Sequence, residues 1–373
     1  LQEDEVRLEM KRRIFVVGTV GVPGEYGGFE TLVENLLELF QVEDGIELSI
    51  FCSGKRFEDK IKRYKGANLI YLPLDANGIQ SIVYDIFSFA IAVWRRADVV
   101  LVLGVSGTIC LPMFKLFSNA KVVTNVDGME WKRDKWNWLA RKFLKYSEKF
   151  AVMFSDVVIA DNNAIKKYIE SEYGVSSELI AYGGDHALNA PEPDLQLEKQ
   201  LPRKYAFSIC RIEPENNVHL ILDAFSCQES LPLFFVGNWD ASEYGRILKQ
   251  KYVDFKNINI VDPIYDINKL FIYRKNAYVY LHGHSAGGTN PSLVEAMHFG
   301  IPIIAYDCIF NRETTKNQAL FFKTKDDIIH LIKMPLTVDV EKLKKLASTE
   351  YTWKIISKKY YRMLYSQSDR YAG

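Results

Sequence analysis

Paired cysteines are what this sequence most plainly lacks. Its five, Cys52, Cys110, Cys210, Cys227 and Cys308, are odd in number, scattered and never spaced C-x-x-C. That excludes a disulfide framework and a zinc ribbon, and points to reduced thiols in a cytosolic protein. A long hydrophobic run is missing too. Val99 to Phe114 is uncharged, but it holds two glycines and Pro112 and stops short of the roughly 18–20 residues a membrane helix needs. Neither sign of charge prevails, with 47 basic against 47 acidic residues, which argues against a general nucleic-acid binder while allowing a local basic patch. No segment reads as a signal peptide. Residues 1–9, LQEDEVRLE, precede Met10 and are expected to be an expression remnant outside the fold.

The common nucleotide fingerprints are also missing. After the first apolar strand, Arg13 to Gly18, comes GTVGVPGEYGGFET, whose glycines run G-x-x-G-x-x-G instead of G-x-G-x-x-G. The next strand, Glu47 to Phe51, ends in Cys52 and Ser53 with no acid for a ribose, and no Gly-Lys-Ser/Thr marks a Walker loop. No convincing Asp-x-Asp pair suggests a metal site.

What is present is alternation. Strands at Arg13–Gly18, Glu47–Phe51, Leu69–Leu72, Val99–Leu103, Lys121–Val126, Val157–Ala160 and Glu178–Ala181 are separated by helical stretches such as Glu30–Phe40, Ile79–Trp94 and Asn162–Tyr173. A second series runs from Tyr205–Ile209 to Ile301–Tyr306. At 373 residues the chain exceeds what one core usually organises. The pattern predicts an α/β protein of two Rossmann-like parallel-sheet domains facing a central cleft. They cover residues 10–183 and 205–350, joined by a Gly-, Pro- and charge-rich linker over 184–204. Residues 351–373 are read as a helix returning to the first domain.

One stretch concentrates ligand-binding features: HGHSAGGTNPSLVEAMHFG, His282 to Gly300. An apolar strand ends there in a glycine-bearing loop, and Asn290, Pro291 and Ser292 read as a helix start. Gly287 and Gly288 let a ligand approach the backbone just before a helix N-terminus, where free N–H groups favour an anion such as phosphate. Glu295, one turn inside, is placed to reach sugar hydroxyls; an ordinary strand-loop-helix with a solvated acid reads equally well. Asp127 in NVDGMEW stands at another strand end and is either a site carboxylate or a turn-forming Asp-Gly pair. Trp131 to Phe154 holds seven basic against two acidic residues with Trp131, Trp136 and Trp138 among them. That composition suits contact with an anionic membrane surface, or a solvated helix face beside a core stripe.

With these residues placed, the chain resembles the retaining glycosyltransferases of the GT-B fold, the large family four group that uses nucleotide-diphospho-sugars. GTVGVPGEYGGFETLVENL and TNVDGMEWKRDKW look like bacterial rhamnosyltransferases that extend a lipid-linked glucose in capsule or O-antigen synthesis. The resemblance implies a dTDP-rhamnose donor and a polyprenyl-diphosphate-linked glucose acceptor. It also implies peripheral attachment at the inner face of the cell membrane, with no nucleic acid and no cofactor or metal.

Carried over residue by residue, the resemblance makes Arg211 in CRIEPENN the diphosphate-binding arginine, with forked donors and a permanent charge. The usual lysine five residues on is Asn216, so backbone groups of Gly288, Thr289 and Asn290, with Gly27 and Gly28 across the cleft, are expected to compensate. Glu295 matches the second of two family glutamates, the ribose ligand, while the first position is Gly287. The nucleobase is expected at Ile264, within Pro263 to Tyr265. Asp127 stands where many relatives have a histidine and is expected to position or electrostatically stabilise the reacting groups. Tyr26, Trp131, Arg141, Lys142 and Lys145 are expected on the acceptor and membrane side. Two other readings of the same fold remain: a non-catalytic sugar-nucleotide-binding scaffold and a UDP-sugar epimerase.

Overall fold

The computed structural model describes residues 11–24, 27–40, 45–78, 80–126, 128–133 and 136–365. Among these, eight strands form one sheet: β1 (Arg12–Val17), β2 (Ile46–Ser53), β3 (Arg63–Tyr64), β4 (Ala67–Leu72), β5 (Val99–Leu103), β6 (Lys121–Val126), β7 (Val157–Ala160) and β8 (Glu178–Leu179). Their order is β3-β4-β2-β1-β5-β6-β7-β8, parallel except for the β3–β4 pair. Six more form an all-parallel second sheet: β9 (Ala206–Ile209), β10 (Leu233–Val236), β11 (Ile258–Val261), β12 (Val279–His282), β13 (Ile303–Tyr306) and β14 (Leu320–Phe322). Their order is β11-β10-β9-β12-β13-β14.

Both faces of the first sheet are covered, so its central strands are buried at successive residues instead of alternate ones. VVLVL of β5 and KVVTNV of β6 are buried at every residue. Alternate side chains separate the two layers. Ile14, Val16, Ile50 and Leu101 meet Leu36 and Leu37 of the helix Gly28–Phe40, and Ile356 and Tyr360 of the C-terminal helix Trp353–Tyr365. Phe15, Val17, Val100 and Val102 point the other way, onto Tyr84 and Phe89 of the helix Gln80–Trp94 and Phe114 of the helix Leu111–Phe117. The helix Trp138–Phe154 joins this second layer, placing Ala151 and Val152 against Val126 and Val158. Each such buried side chain contributes roughly 1.5–3 kcal/mol of transfer free energy.

The sheet orders create two crevices. The chain leaves β1 toward β2 and returns to β5 on its other side, so the loops after these strands diverge; β9 and β12 do the same in the second sheet. Ligands of open parallel sheets bind at such switch points, beyond the strand C-termini.

Where the linker's composition suggested irregular chain, Leu195–Gln200 forms a short helix. Asp194 caps it by accepting from Gln196 and Leu197 N–H at 3.1 and 2.9 Å, and Leu197 rests on the second domain's core. The chain passes between the domains twice, and the two passages are tied together. Gly184 N–H donates to Tyr351 O at 2.9 Å, and Trp353 N–H donates to Asp185 Oδ1 at 2.7 Å.

Candidate active site

The two switch points face each other. From the first domain come the loop after β1, the loop after β6 and the residues after β7; from the second come the segments after β9 and β12. Gly28 lies where an added methyl group would be 3.7 Å from Pro291 Cγ, at the start of the helix Pro291–His298. Gly128 is closer still. A methyl group there would stand 3.1 Å from Gly287 Cα, and its φ of +63° suits glycine.

The nearest approach is at Gly288, where a methyl group would lie 1.8 Å from Asp161 Oδ1. Asp161 follows β7 and is buried. Its carboxylate accepts from Thr289 N–H at 3.2 Å, and its carbonyl accepts from Thr289 Oγ1 at 2.5 Å. Thr289 is thus buried with both polar groups engaged by the first domain. Asn162, the N-cap of the helix Asn163–Tyr173, extends the seam by donating to Phe310 O at 3.3 Å and Thr314 Oγ1 at 3.2 Å. Asn290 caps its own helix, accepting from Ser292 N–H at 3.1 Å and Ser292 Oγ at 2.8 Å. The strand-loop-helix expected from the sequence is present, with an aspartate lying against its N-terminal backbone.

Arg211 is exposed at the end of β9. Asn216, standing where a lysine is usual, donates to Arg211 O at 2.7 Å and so braces the loop that presents the guanidinium. A second guanidinium enters from across the cleft. Arg133, after β6, pairs with Glu130 at 2.6 Å and with Glu215 of the second domain at 3.4 Å. Arg141, expected at the membrane, instead donates to Trp136 O at 2.9 Å and Arg133 O at 3.3 Å, holding up that loop.

His282 and His284 stack at 4.4 Å between ring centroids. Burial pushes the His282 imidazole down to about 3. For His284, burial first and then His282, Arg211 and Arg133 depress its pKa well below the ordinary value. His284 is therefore neutral at working pH, and its buried Nδ1 has no hydrogen-bond partner among the described residues. His284 and Arg133 lie in stretches singled out from the sequence, but neither they nor Asp161 had a role assigned there. Their signal is proximity across the cleft.

Glu295 is buried and bound on both oxygens, to the Arg274 guanidinium and, at 3.2 Å, to His186 Nε2 from the linker. Burial alone would raise its pKa, but Arg274, with His186 beside it, holds the carboxyl below its ordinary value. Gly27 sits against the Glu30 carboxylate, which accepts from Thr19 Oγ1 at 3.0 Å and Val20 N–H at 2.9 Å and fixes the loop after β1. Ile264, half buried, packs on the second domain's core beyond the edge strand β11, two strands from β9.

The remaining residues named from the sequence lie away from this cluster or outside the description. Lys142 is exposed, 4.1 Å over the Trp138 ring. Lys145 is turned inward, bonded to Tyr168 and to Glu172 at 2.8 Å, and it lies 4.7 Å over half-buried Trp131. Burial would lower its pKa, but Glu172 and Tyr168 hold it above the ordinary value. Asp127 and Tyr26 lie outside the described residues.

Facing switch points, two guanidiniums and a glycine-rich helix start define a two-domain protein of the GT-B fold. Residues 192–351 match the family model described as glycosyl transferases group 1, and residues 11–185 match one described as a domain of unknown function, DUF1972. Over residues 192–351 the chain is thus similar to the group 1 glycosyl transferases, and the whole chain shares its fold with solved structures. Among solved structures, sucrose-phosphate synthase from Thermosynechococcus elongatus shares the fold with a TM-score of 0.79 at 17% identity, over 95% of this chain and 99% of that one. HepE of Anabaena in complex with UDP-glucose matches with a TM-score of 0.71 at 14% identity, over 95% of this chain and 100% of that one. The α,α-trehalose 6-phosphate synthase of Burkholderia multivorans matches with 0.69 at 11%, over 95% and 96%. No curated protein matches the chain in sequence.

Proposed function

We propose that the protein transfers L-rhamnose from dTDP-rhamnose, with retention, onto a glucose carried on a lipid diphosphate, in capsule or O-antigen synthesis at the inner membrane face. The observation that carries the donor half is that Arg133, tied across the cleft to Glu215 at 3.4 Å, and Arg211 at the end of β9 bring positive charge from opposite domains to bear on neutral His284. Such a cluster suits a diphosphate, whose charge grows as the sugar–phosphate bond breaks. HepE, similar in fold, is known in complex with UDP-glucose, which supports a nucleotide-sugar donor here. The rhamnose and lipid-acceptor assignments rest on the resemblance of GTVGVPGEYGGFETLVENL and TNVDGMEWKRDKW to rhamnosyltransferases.

In this reading the acceptor hydroxyl oxygen attacks the anomeric carbon from the face the diphosphate leaves. The carbon–oxygen bond to phosphate breaks, and the hydroxyl proton passes to the departing phosphate oxygen. Arg211 and Arg133 balance the charge on the leaving dTDP, with no metal taking part. Glu295 orients the ribose, and Asp127 stabilises positive charge at the sugar carbon.

The test is direct. The protein is incubated with dTDP-, UDP- and GDP-sugars and a lipid-diphosphate-glucose analogue, and products are identified by mass. A rhamnosylated acceptor from dTDP-rhamnose is the expected outcome. Turnover of UDP- or GDP-sugars alone removes the donor assignment, isomerised donor without acceptor means an epimerase, and binding without turnover means a scaffold.

A further inference from the structure

The helix Gln80–Trp94 is apolar on both faces. It buries Tyr84, Phe89 and Ala92 together with polar Ser81, Asp85 and Ser88, whereas Val83, Ile86, Phe87, Ala90 and Trp94 are exposed. Those five recur at steps of three, one, three and four residues, so they form one outward stripe of a 3.6-residue helix. A helix covering a soluble sheet keeps its outer face polar. Asp85 is packed against the backbone at Gly107, where a methyl group would lie 2.1 Å from Asp85 Cβ.

The neighbouring helices continue the stripe. Phe89 and Phe114 join the helices Gln80–Trp94 and Leu111–Phe117 with ring centroids 5.3 Å apart. The Thr108 hydroxyl, in the turn before the second, donates to Ser147 O of the helix Trp138–Phe154 at 2.7 Å. The middle helix exposes Met113, Leu116 and Phe117, the last two by 81% and 71%. The third exposes Trp138, Leu139, Lys142, Tyr146, Lys149 and Met153. Together these side chains present on the order of 1,000 Å² of apolar surface, against about 300–600 Å² for the largest patch on a typical monomer.

Charge decides what covers it. Among the exposed residues of the three helices, the only charged ones are Lys142 and Lys149, and exposed Arg95 and Arg96 follow directly after the first. The two acids of these helices, Asp85 and Glu148, are buried. Exposed Asp98, just beyond, pairs with Arg13, so the stripe and its margin carry a net positive charge, which complements an anionic bilayer with the aromatics at headgroup depth. A self-complementary pairing of two copies would bring these cations toward one another.

We propose that this three-helix face seats the protein in the surface of an anionic lipid bilayer, held mainly by insertion of apolar side chains. The inference deepens the membrane part of the proposed function and rests on it for its purpose alone. The helices Gln80–Trp94 and Trp138–Phe154 follow β4 and β6, so their N-termini lie on the strand C-terminal side of the sheet, the side that faces the cleft, and a lipid-borne acceptor would approach it from the edge of this face.

The experiment uses the full chain and vesicles of phosphatidylglycerol and phosphatidylethanolamine, with vesicles of phosphatidylcholine alone for comparison. Co-sedimentation with the anionic vesicles is expected. At 0.5 M NaCl, where surface charges are strongly screened, at least about a third of the bound protein should remain. The triple variant Phe87→Ser, Trp94→Gln and Leu116→Ser should bind at least about tenfold more weakly, with unchanged thermal midpoint. Trp fluorescence of the parent protein should be quenched by brominated acyl chains. Failure to sediment, or binding abolished by salt without acyl-chain quenching, overturns the proposal. So does a dimer in light scattering that the triple substitution dissociates, because the face would then cover a second copy. Transfer to a water-soluble acceptor analogue reads the chemistry separately: its loss with vesicle binding intact refutes the function and spares this inference.

Discussion

The Thr289 hydroxyl donates to the Asp161 carbonyl at 2.5 Å while the Thr289 N–H meets the Asp161 carboxylate at 3.2 Å. A first-domain anion thereby occupies backbone that the sequence assigns to a donor phosphate. Removing it should move two observables in opposite directions. Asp161→Ala leaves a buried N–H without its acceptor and should lower stability by about 1–3 kcal/mol in chemical denaturation. The same change frees the helix start for phosphate, so dTDP affinity by calorimetry should rise about tenfold, equivalent to ~1.4 kcal/mol. Asp161→Asn keeps an acceptor and should lose less than half as much stability. Unchanged nucleotide affinity in Asp161→Ala would place the phosphate elsewhere.

Glu295 and Arg274 form a buried ion pair joined by His186. Glu295→Gln strands the Arg274 charge and should cost about 3–5 kcal/mol. The sign with pH follows from the depressed carboxyl. Its contribution is complete above the unfolded value of about 4.3 and is lost as pH falls through the lower folded one. Urea midpoints from pH 7 to pH 3 should therefore fall more steeply for the parent protein than for Glu295→Gln. Parallel curves would contradict the charge assignment.

Arg211 and Arg133, from different domains, both lower the pKa of His284 by their charge. Arg211→Ala and Arg133→Ala should each weaken dTDP binding by tenfold or more, about 1.4 kcal/mol or above. Asp127→Asn should spare binding and lower turnover. If Arg133→Ala binds nucleotide normally, that side chain only holds Glu215.

Asp85 carries the pH dependence of the helix Gln80–Trp94. Burial pushes its carboxyl up to about 8, with the Gly107 backbone pulling the other way. A raised folded value means stability is fully present below the unfolded value of about 3.9 and is lost as pH rises through 8. Thermal midpoints of the parent protein should decline between pH 5 and pH 8. Asp85→Asn, which cannot ionise, should lack that decline, and a slope shared by both proteins would assign it to other groups.

Much of the scaffold was readable because it is local. Runs such as VVLVL, the Asn290-Pro291 helix start and the β-then-α rhythm report burial and backbone preference within a few residues. The helix Gln80–Trp94 was legible as a helix but not in its facing, since amphipathic reasoning sends Asp85 and Ser88 to water. Asp161 read as an unremarked polar residue at a strand end. Its contact with Gly288 depends on how the two domains sit together, which no local pattern encodes. Lys145 joined a basic run in sequence, yet its partners Tyr168 and Glu172 lie on a helix more than 20 residues on. Charge counted along the chain overstated what the surface displays. Arg141 shows the same error, its guanidinium being spent on the carbonyls of Trp136 and Arg133.

The two passages between the domains run side by side, laced by Gly184 to Tyr351 and Asp185 to Trp353. Mechanically this is a paired flexure. Two tied passages constrain sliding and twist of the domains more than a single strand would, which leaves bending as the least restricted relative motion. His186, which binds Glu295, belongs to that spine and also accepts from Trp353 Nε1 at 2.8 Å. A ligand that claims Glu295 therefore acts on the pivot itself, where a small displacement sweeps the widest arc at the lips of the cleft.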